Sequence, residues 1–152
     1  MRLFTDYQLA IIKFCAEECK RQGSGEESVS HMVAAYQYAC QRWAVDKTIL
    51  SEDIRMLGML VDPERNSGGY RTQACHFGEF IFTPWQNIAR SIESLVDAAD
   101  RLDAVAFYTE FEKIHPFADG NGRVGAILYN LLRGTLYKPE AAPDVFKKED
   151  IR

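Results

Sequence analysis

The chain is poor in several features that would place it in a broad class. Its 152 residues include four cysteines, and Cys15, Cys19, Cys40 and Cys75 have neither Cys-x-x-Cys spacing nor a plausible set of histidine partners. A zinc finger or ribbon is therefore excluded, and the expectation is buried, reduced thiols. A positive excess is also lacking: the net charge is −4 with no basic stripe, so no direct nucleic-acid surface is expected. No apolar run is long enough to span a bilayer, and Met1-Arg2-Leu3-Phe4-Thr5-Asp6 lacks the apolar core of a signal peptide. These absences predict a cytoplasmic chain without membrane association, although delivery into another cell would leave no mark in the sequence. Repeats, linkers and low-complexity tracts are missing too, and the length suits one domain spanning residues 1–152.

What is present is mainly helical phasing. Thr5 or Asp6 caps a first helix striped by Leu9, Ile12, Ala16 and Cys19, which ends at Gly23-Ser24-Gly25. From about Ser28, Val29, Val33, Tyr36, Cys40 and Trp43 recur at steps of three and four, the mark of a core face. Ser51 reads as the N-cap of a third helix carrying Ile54, Leu57 and Val61, and turn-forming residues from Pro63 to Gly69 stop it. Between Tyr70 and Phe82 the pattern becomes β-prone and predicts a hairpin with Gly78 in or near its turn. Thr83 and Pro84 then read as N-cap and first residue of a helix bearing Ile88, Ile92 and Leu95. A further helix from about Leu102 ends at His115, and a last one begins at about Asn121 with Val124, Ile127, Leu128, Leu131 and Leu132 on one face. The expectation is an all-α bundle with one small β-hairpin.

The run His115-Pro116-Phe117-Ala118-Asp119-Gly120-Asn121-Gly122-Arg123 carries the chemistry. An imidazole titrates near neutrality, so His115 can accept a proton from an attacking hydroxyl. Asp119 is a hard oxygen ligand of the kind Mg²⁺ takes singly while phosphates and water complete its shell. Gly120 and Gly122 allow close backbone approach, and the loop opens onto a helix N-terminus where free N–H groups and the macrodipole favour an anion. Asn121 adds an amide, and Arg123 a forked cation for phosphate oxygens. The cluster suits the handling of a phosphate chain.

These residues resemble the signature of the Fic family of nucleotidyl transferases, His-Pro-Phe-x-Asp/Glu-Gly-Asn-Gly-Arg-x-x-Arg. Every specified position except the last is matched. Gly69-Tyr70-Arg71-Thr72, Phe77-Gly78 and Phe82-Thr83-Pro84 are also similar to that family's hairpin flap, and the likeness covers roughly residues 50 to 135. It implies a Fic-like bundle that uses ATP and Mg²⁺ and transfers AMP to a Ser, Thr or Tyr hydroxyl of a protein. His115 would be the base, Asp119 the metal ligand, and Gly120, Asn121, Gly122 and Arg123 the phosphate site. Arg71, Thr72, His76, Phe77 and Gly78 would form the flap on which the target docks, with Arg71 an exposed hairpin arginine for which solvation and contact with a substrate are equal alternatives. A separate antitoxin partner is also within the family's range.

The departure is Ala126, where the family places its second arginine. Residues 123 and 126 share a helix face, so the expectation is a lost contact to the outer phosphate and weakened or altered nucleotide binding. No good copy of the family's inhibitory Ser/Thr-x-x-x-Glu-Gly/Asn segment is found. The nearest, Thr48 to Asp53, has the wrong last residue. Transfer of the γ-phosphate, transfer from a CDP-linked donor, and a weakly catalytic binding module stay open as alternatives.

Overall fold

A computed structural model of the chain describes residues 4–146, and over them the architecture is the expected all-α bundle with one hairpin. Helix α1 (Asp6–Arg21) is held at its start by a reciprocal pair: Thr5 Oγ1 accepts from the Gln8 N–H at 3.3 Å, and the Thr5 N–H donates to Gln8 Oε1 at 2.8 Å. That box satisfies two donors which a helix start otherwise leaves to water. Helix α2 (Glu27–Val45) lies against α1, and α3 (Ser51–Val61) lies against α2.

Ser51 is not the cap of α3. It is the first helical residue, its hydroxyl donates to Glu93, and the Asp53 carboxylate turns back to accept the Leu50 N–H at 2.9 Å. A carboxylate at the third helical position competes well for this role because it also favours the positive end of the dipole. Asp53 is fixed further by Tyr38 and Arg42 from α2.

The hairpin is shorter than the β-prone stretch suggested. Strands β1 (His76–Phe77) and β2 (Phe80–Ile81) pair antiparallel, Phe77 opposite Phe80, with Gly78 at φ 58° in the turn. Pro84 is extended rather than helical; a single 3₁₀ turn at Trp85–Asn87 precedes α4 (Ile88–Asp97), so the helix begins later than the Thr83-Pro84 signal implied. Asp103 caps α5 (Ala104–Ile114) by accepting the Ala106 N–H at 2.8 Å, so the helix begins two residues after Leu102. The charged end of the sequence after Pro143 lies partly outside the described residues.

Helix α6 (Asn121–Arg133) is the axis of the bundle. It packs against α1, α2, α3 and α5, and burial continues all round it from Arg123 to Leu131. The single apolar stripe read from the sequence was therefore too narrow: Ala126, Tyr129 and Asn130 are enclosed as well. A helix enclosed on all sides is a fixed platform. Phe107, Phe111, Phe117, Ile127 and Leu128 form the core between α5 and α6, and truncating one such phenylalanine costs about 3–5 kcal/mol. That rigidity sets the position of the loop joining the two helices. The four cysteines are unpaired, Cys15 and Cys19 in the core as expected, Cys40 and Cys75 only half-buried.

Candidate active site

The segment from His115 to Gly120 joins the end of α5 to the start of α6. His115 closes α5 in the left-handed region, φ 51° and ψ 62°, the only such non-glycine among the described residues. The reversal points the chain away from the helix axis and aims the loop back over α6. Gly120 makes the second reversal at φ 82°, a conformation that a side chain resists. A Cβ there would also strike Val61.

The imidazole of His115 stacks on Phe82, with ring centroids 4.0 Å apart and planes 8° from parallel. Its Nδ1 is sealed inside the protein without a hydrogen-bond partner. Burial pulls the histidine down from 6.5 to about 4; the Glu112 backbone opposes this, the Arg71 charge adds to it, and Asp119 opposes it again. The ring is thus neutral at physiological pH, and Nε2 is the nitrogen left to meet an incoming hydroxyl. One turn earlier, Glu112 is buried against Gly125 of α6, and burial lifts its carboxyl from 4.5 to about 7.

Asn121 does not point its amide at a ligand. Its Oδ1 accepts the Phe117 N–H and its Nδ2 donates to the Phe117 carbonyl, both at 2.8 Å, so the side chain closes the loop on itself. Asp119 does not cap α6, and no other side chain does. The first helical bond runs from Val124 N–H to the Gly120 carbonyl at 3.0 Å, so the N–H groups of Asn121, Gly122 and Arg123 precede the ladder without an acceptor in the helix. The Asp119 carboxylate lies beside Arg123 Nη2 at 3.3 Å and Arg65 Nη1 at 3.4 Å, and it is 42% exposed. Arg123 is itself buried, with Nε unpartnered.

Arg71 corrects the sequence reading most sharply. It is buried and does not face a docking strand. Its guanidinium donates Nε to the His115 carbonyl at 2.7 Å, Nη1 to Gln73 at 2.7 Å, and Nη2 to Thr83 at 2.5 Å and Ile114 at 3.2 Å. The fork of a guanidinium fits this set of carbonyls, two of them at the negative end of α5. Backbone bonds from Arg71 N–H to Pro116 and from Thr83 N–H to Lys113 tie both stems of the hairpin to the same place. Thr72, His76, Phe77 and Gly78 are exposed, as docking would require.

Three contributors were missed in the sequence. Asn66, fully buried, donates Nδ2 to the Asp119 carbonyl at 2.8 Å and to the Gly58 carbonyl at 2.9 Å, which anchors the loop to α3. Gln22 and Ser24, from the turn after α1, line a cavity of about 140 Å³ together with His115, Asp119 and Arg123. A side chain at Gly122 would push aside the Gln22 amide, which lies directly over it. A neighbouring cavity of about 520 Å³ shares Gln22, Ser24, Asp119 and Arg123 and takes in His31. Nothing in the residue pattern marked Gln22 or Asn66, since their partners lie far along the chain.

Ala126 departs from the expected arrangement too. It is 1% exposed and belongs to the apolar core, so packing encloses this position.

A buried helical axis, a glycine reversal feeding its uncapped N-terminus, and a neutral histidine at the preceding helix end meet at one small cavity. The chain belongs to the Fic/DOC family, whose sequence model matches residues 48–132. A probable protein adenylyltransferase of Aquifex aeolicus (strain VF5) is 46% identical over 50 residues, which cover 30% of this chain and 16% of that relative. The chain thus matches only a small part of that protein's length. No helix among the described residues is long and apolar enough to cross a membrane.

Proposed function

We propose that this domain is a protein adenylyltransferase that moves AMP from ATP to a Ser, Thr or Tyr hydroxyl of another protein. The observation that carries the reading is the convergence of His115, Asp119 and Arg123 with the unpaired N–H row of α6 on one small cavity. The hydroxyl oxygen bonds to the α-phosphorus while the bridging oxygen between the α- and β-phosphorus atoms leaves with pyrophosphate. His115 Nε2 takes the hydroxyl proton. The N–H groups of Asn121, Gly122 and Arg123 face the charge that grows on the phosphate oxygens, preorganised donors of the kind that dominate phosphoryl chemistry. Arg123 holds the phosphates beyond the scissile bond.

The residues present fit a divalent metal that arrives with the nucleotide. Asp119 offers a half-exposed carboxylate, no group of three or more His, Cys, Asp or Glu gathers among the described residues, and two guanidiniums disfavour a free cation there. Mg²⁺ accepts that arrangement because phosphate oxygens and water supply the rest of its shell. When bound, it neutralises phosphate charge. A base at about 4 is weak in the free protein, and negative phosphates beside it raise its pKa towards neutrality.

Incubation with lysate and either α- or γ-labelled ATP tests the reading. Label on protein from the α position supports it; label from the γ position alone identifies phosphoryl transfer. Label from neither overturns it and leaves a CDP-linked donor or a binding module. His115→Ala should lower transfer roughly 10²- to 10⁴-fold while ATP affinity changes little. Retained transfer removes His115 from the role of base.

A further inference from the structure

The tail after α6 returns to the active site. Asn130, fully buried, holds it: Nδ2 donates to the Glu140 carbonyl at 2.9 Å, and Oδ1 accepts the Glu140 N–H at 2.7 Å and the Thr135 hydroxyl at 2.7 Å. Arg133 adds an ion pair to Glu140 at 2.9 Å. From that anchor the chain runs to Phe146, whose ring lies 5.3 Å from Phe80, 5.7 Å from Phe82 and 5.8 Å from Phe77. It also meets the His115 ring edge-on at 6.4 Å. The seat stays open on one side: Phe77 is 61% exposed with Phe146 in place. An exposed ring so close to a base is costly to leave in water and calls for a partner.

We propose that the hollow between Phe77, Phe80 and Phe82 is a subsite for an aromatic side chain of the protein target, and that Phe146 fills it as an intramolecular stand-in. The proposal rests on the reading that a protein hydroxyl is the acceptor. An extended target segment laid along the hairpin edge repeats its side chains on one face every second residue, about 7 Å apart. That repeat matches the distance between the His115 and Phe146 rings. A hydroxyl placed at His115 therefore puts the residue two positions away over the hollow. A tethered ring acts at an effective concentration on the order of millimolar, so a target has to displace it.

Phe146→Ala in the full chain tests the subsite without recourse to transfer. Both proteins are titrated with N-acetylphenylalaninamide, and with N-acetylalaninamide as control, while the ring resonances of Phe82 and His115 are followed by NMR. The variant should respond at concentrations at least fivefold lower than the parent, and the alanine compound should move neither. Adding Phe80→Ala should remove the gain. An equal response in parent and variant, or none in the variant, overturns the subsite. In the lysate experiment, Phe146→Ala should raise incorporation of α-label severalfold, at sites with an aromatic two residues from the modified hydroxyl. Equal rates at sites without that aromatic would overturn the subsite and spare the transfer reading. Unlabelled lysate combined with the fivefold NMR shift would do the reverse.

Discussion

The loop from His115 to Gly120 and the hairpin from His76 to Ile81 are neighbours of similar length, yet they are held in opposite ways. The loop is bound from four directions: Arg71 grips the α5 carbonyls, Asn121 closes on Phe117, Asn66 anchors Asp119, and Phe82 covers the imidazole. The hairpin has two-residue strands, and its tip is exposed. Chemistry needs atoms fixed to within a fraction of an ångström. Recognition of an extended segment needs an open edge that can adapt. The difference teaches that the hairpin's rigid part is its stem, where Arg71 sits, and that the stem serves the loop.

The largest break in this contrast should come from Arg71→Met. It strands four carbonyl groups, so a loss of about 3–5 kcal/mol in chemical denaturation is expected, along with any transfer activity. Arg71→Lys should not recover it, because an ammonium cannot span the fork of acceptors. An Arg71→Met protein as stable as the parent would show that the clamp is incidental.

A titration separates two buried groups on α5. His115 lies at about 4 rather than 6.5, so the unfolded chain takes up that proton first and stability falls as pH drops through this range. Glu112 lies at about 7 rather than 4.5, so the unfolded chain releases its proton first and stability falls as pH rises through that range. Between 4.5 and 6.5 the slopes oppose, and the parent should be nearly flat. Glu112→Gln leaves the histidine slope alone, so this variant should lose roughly 2–3 kcal/mol on acidification across that window. His115→Gln should show the opposite sign. Parallel curves for all three proteins would contradict the assignment.

Asn121→Ala should cost about 2 kcal/mol, since two buried groups of Phe117 lose their partner. At the small end, Phe77→Ala should shift stability by less than about 0.5 kcal/mol, as expected for an exposed tip, yet lower labelling of protein targets. A large loss of stability there would mean that the hairpin is as fixed as the loop.

The existence of the helices could be read from periodicity, but the buried face was misplaced in two of them. Leu9 and Ala16 are exposed while Ile11, Phe14 and Cys15 are buried in α1, and Met32, Ala35 and Ala39 lie deeper than Val29 or Val33 in α2. The loop could be read because its residues are adjacent in sequence. What stayed hidden depends on distant partners. Arg71 looked like a surface residue because two of its four acceptors lie 43 and 44 positions on. Asn66 sat unnoticed in a polar turn for the same reason. Ser51 was a fair cap candidate, and only geometry shows Asp53 taking the place. Ala126 looked like a deleted contact, although the enclosed axis of the bundle makes it a core residue. Asn121 was credited with touching phosphate because its type permits it, whereas its amide is spent on the backbone.

The Arg71 clamp has an electrical consequence. Two helix ends of opposite polarity face each other across one short loop, the negative one at Ile114 and His115 and the positive one at Asn121. By occupying the first, the guanidinium offsets the negative pole and leaves the positive one unopposed. In the proposed reaction this confines the attraction for a polyanion to one turn of helix, in a chain whose net charge is −4.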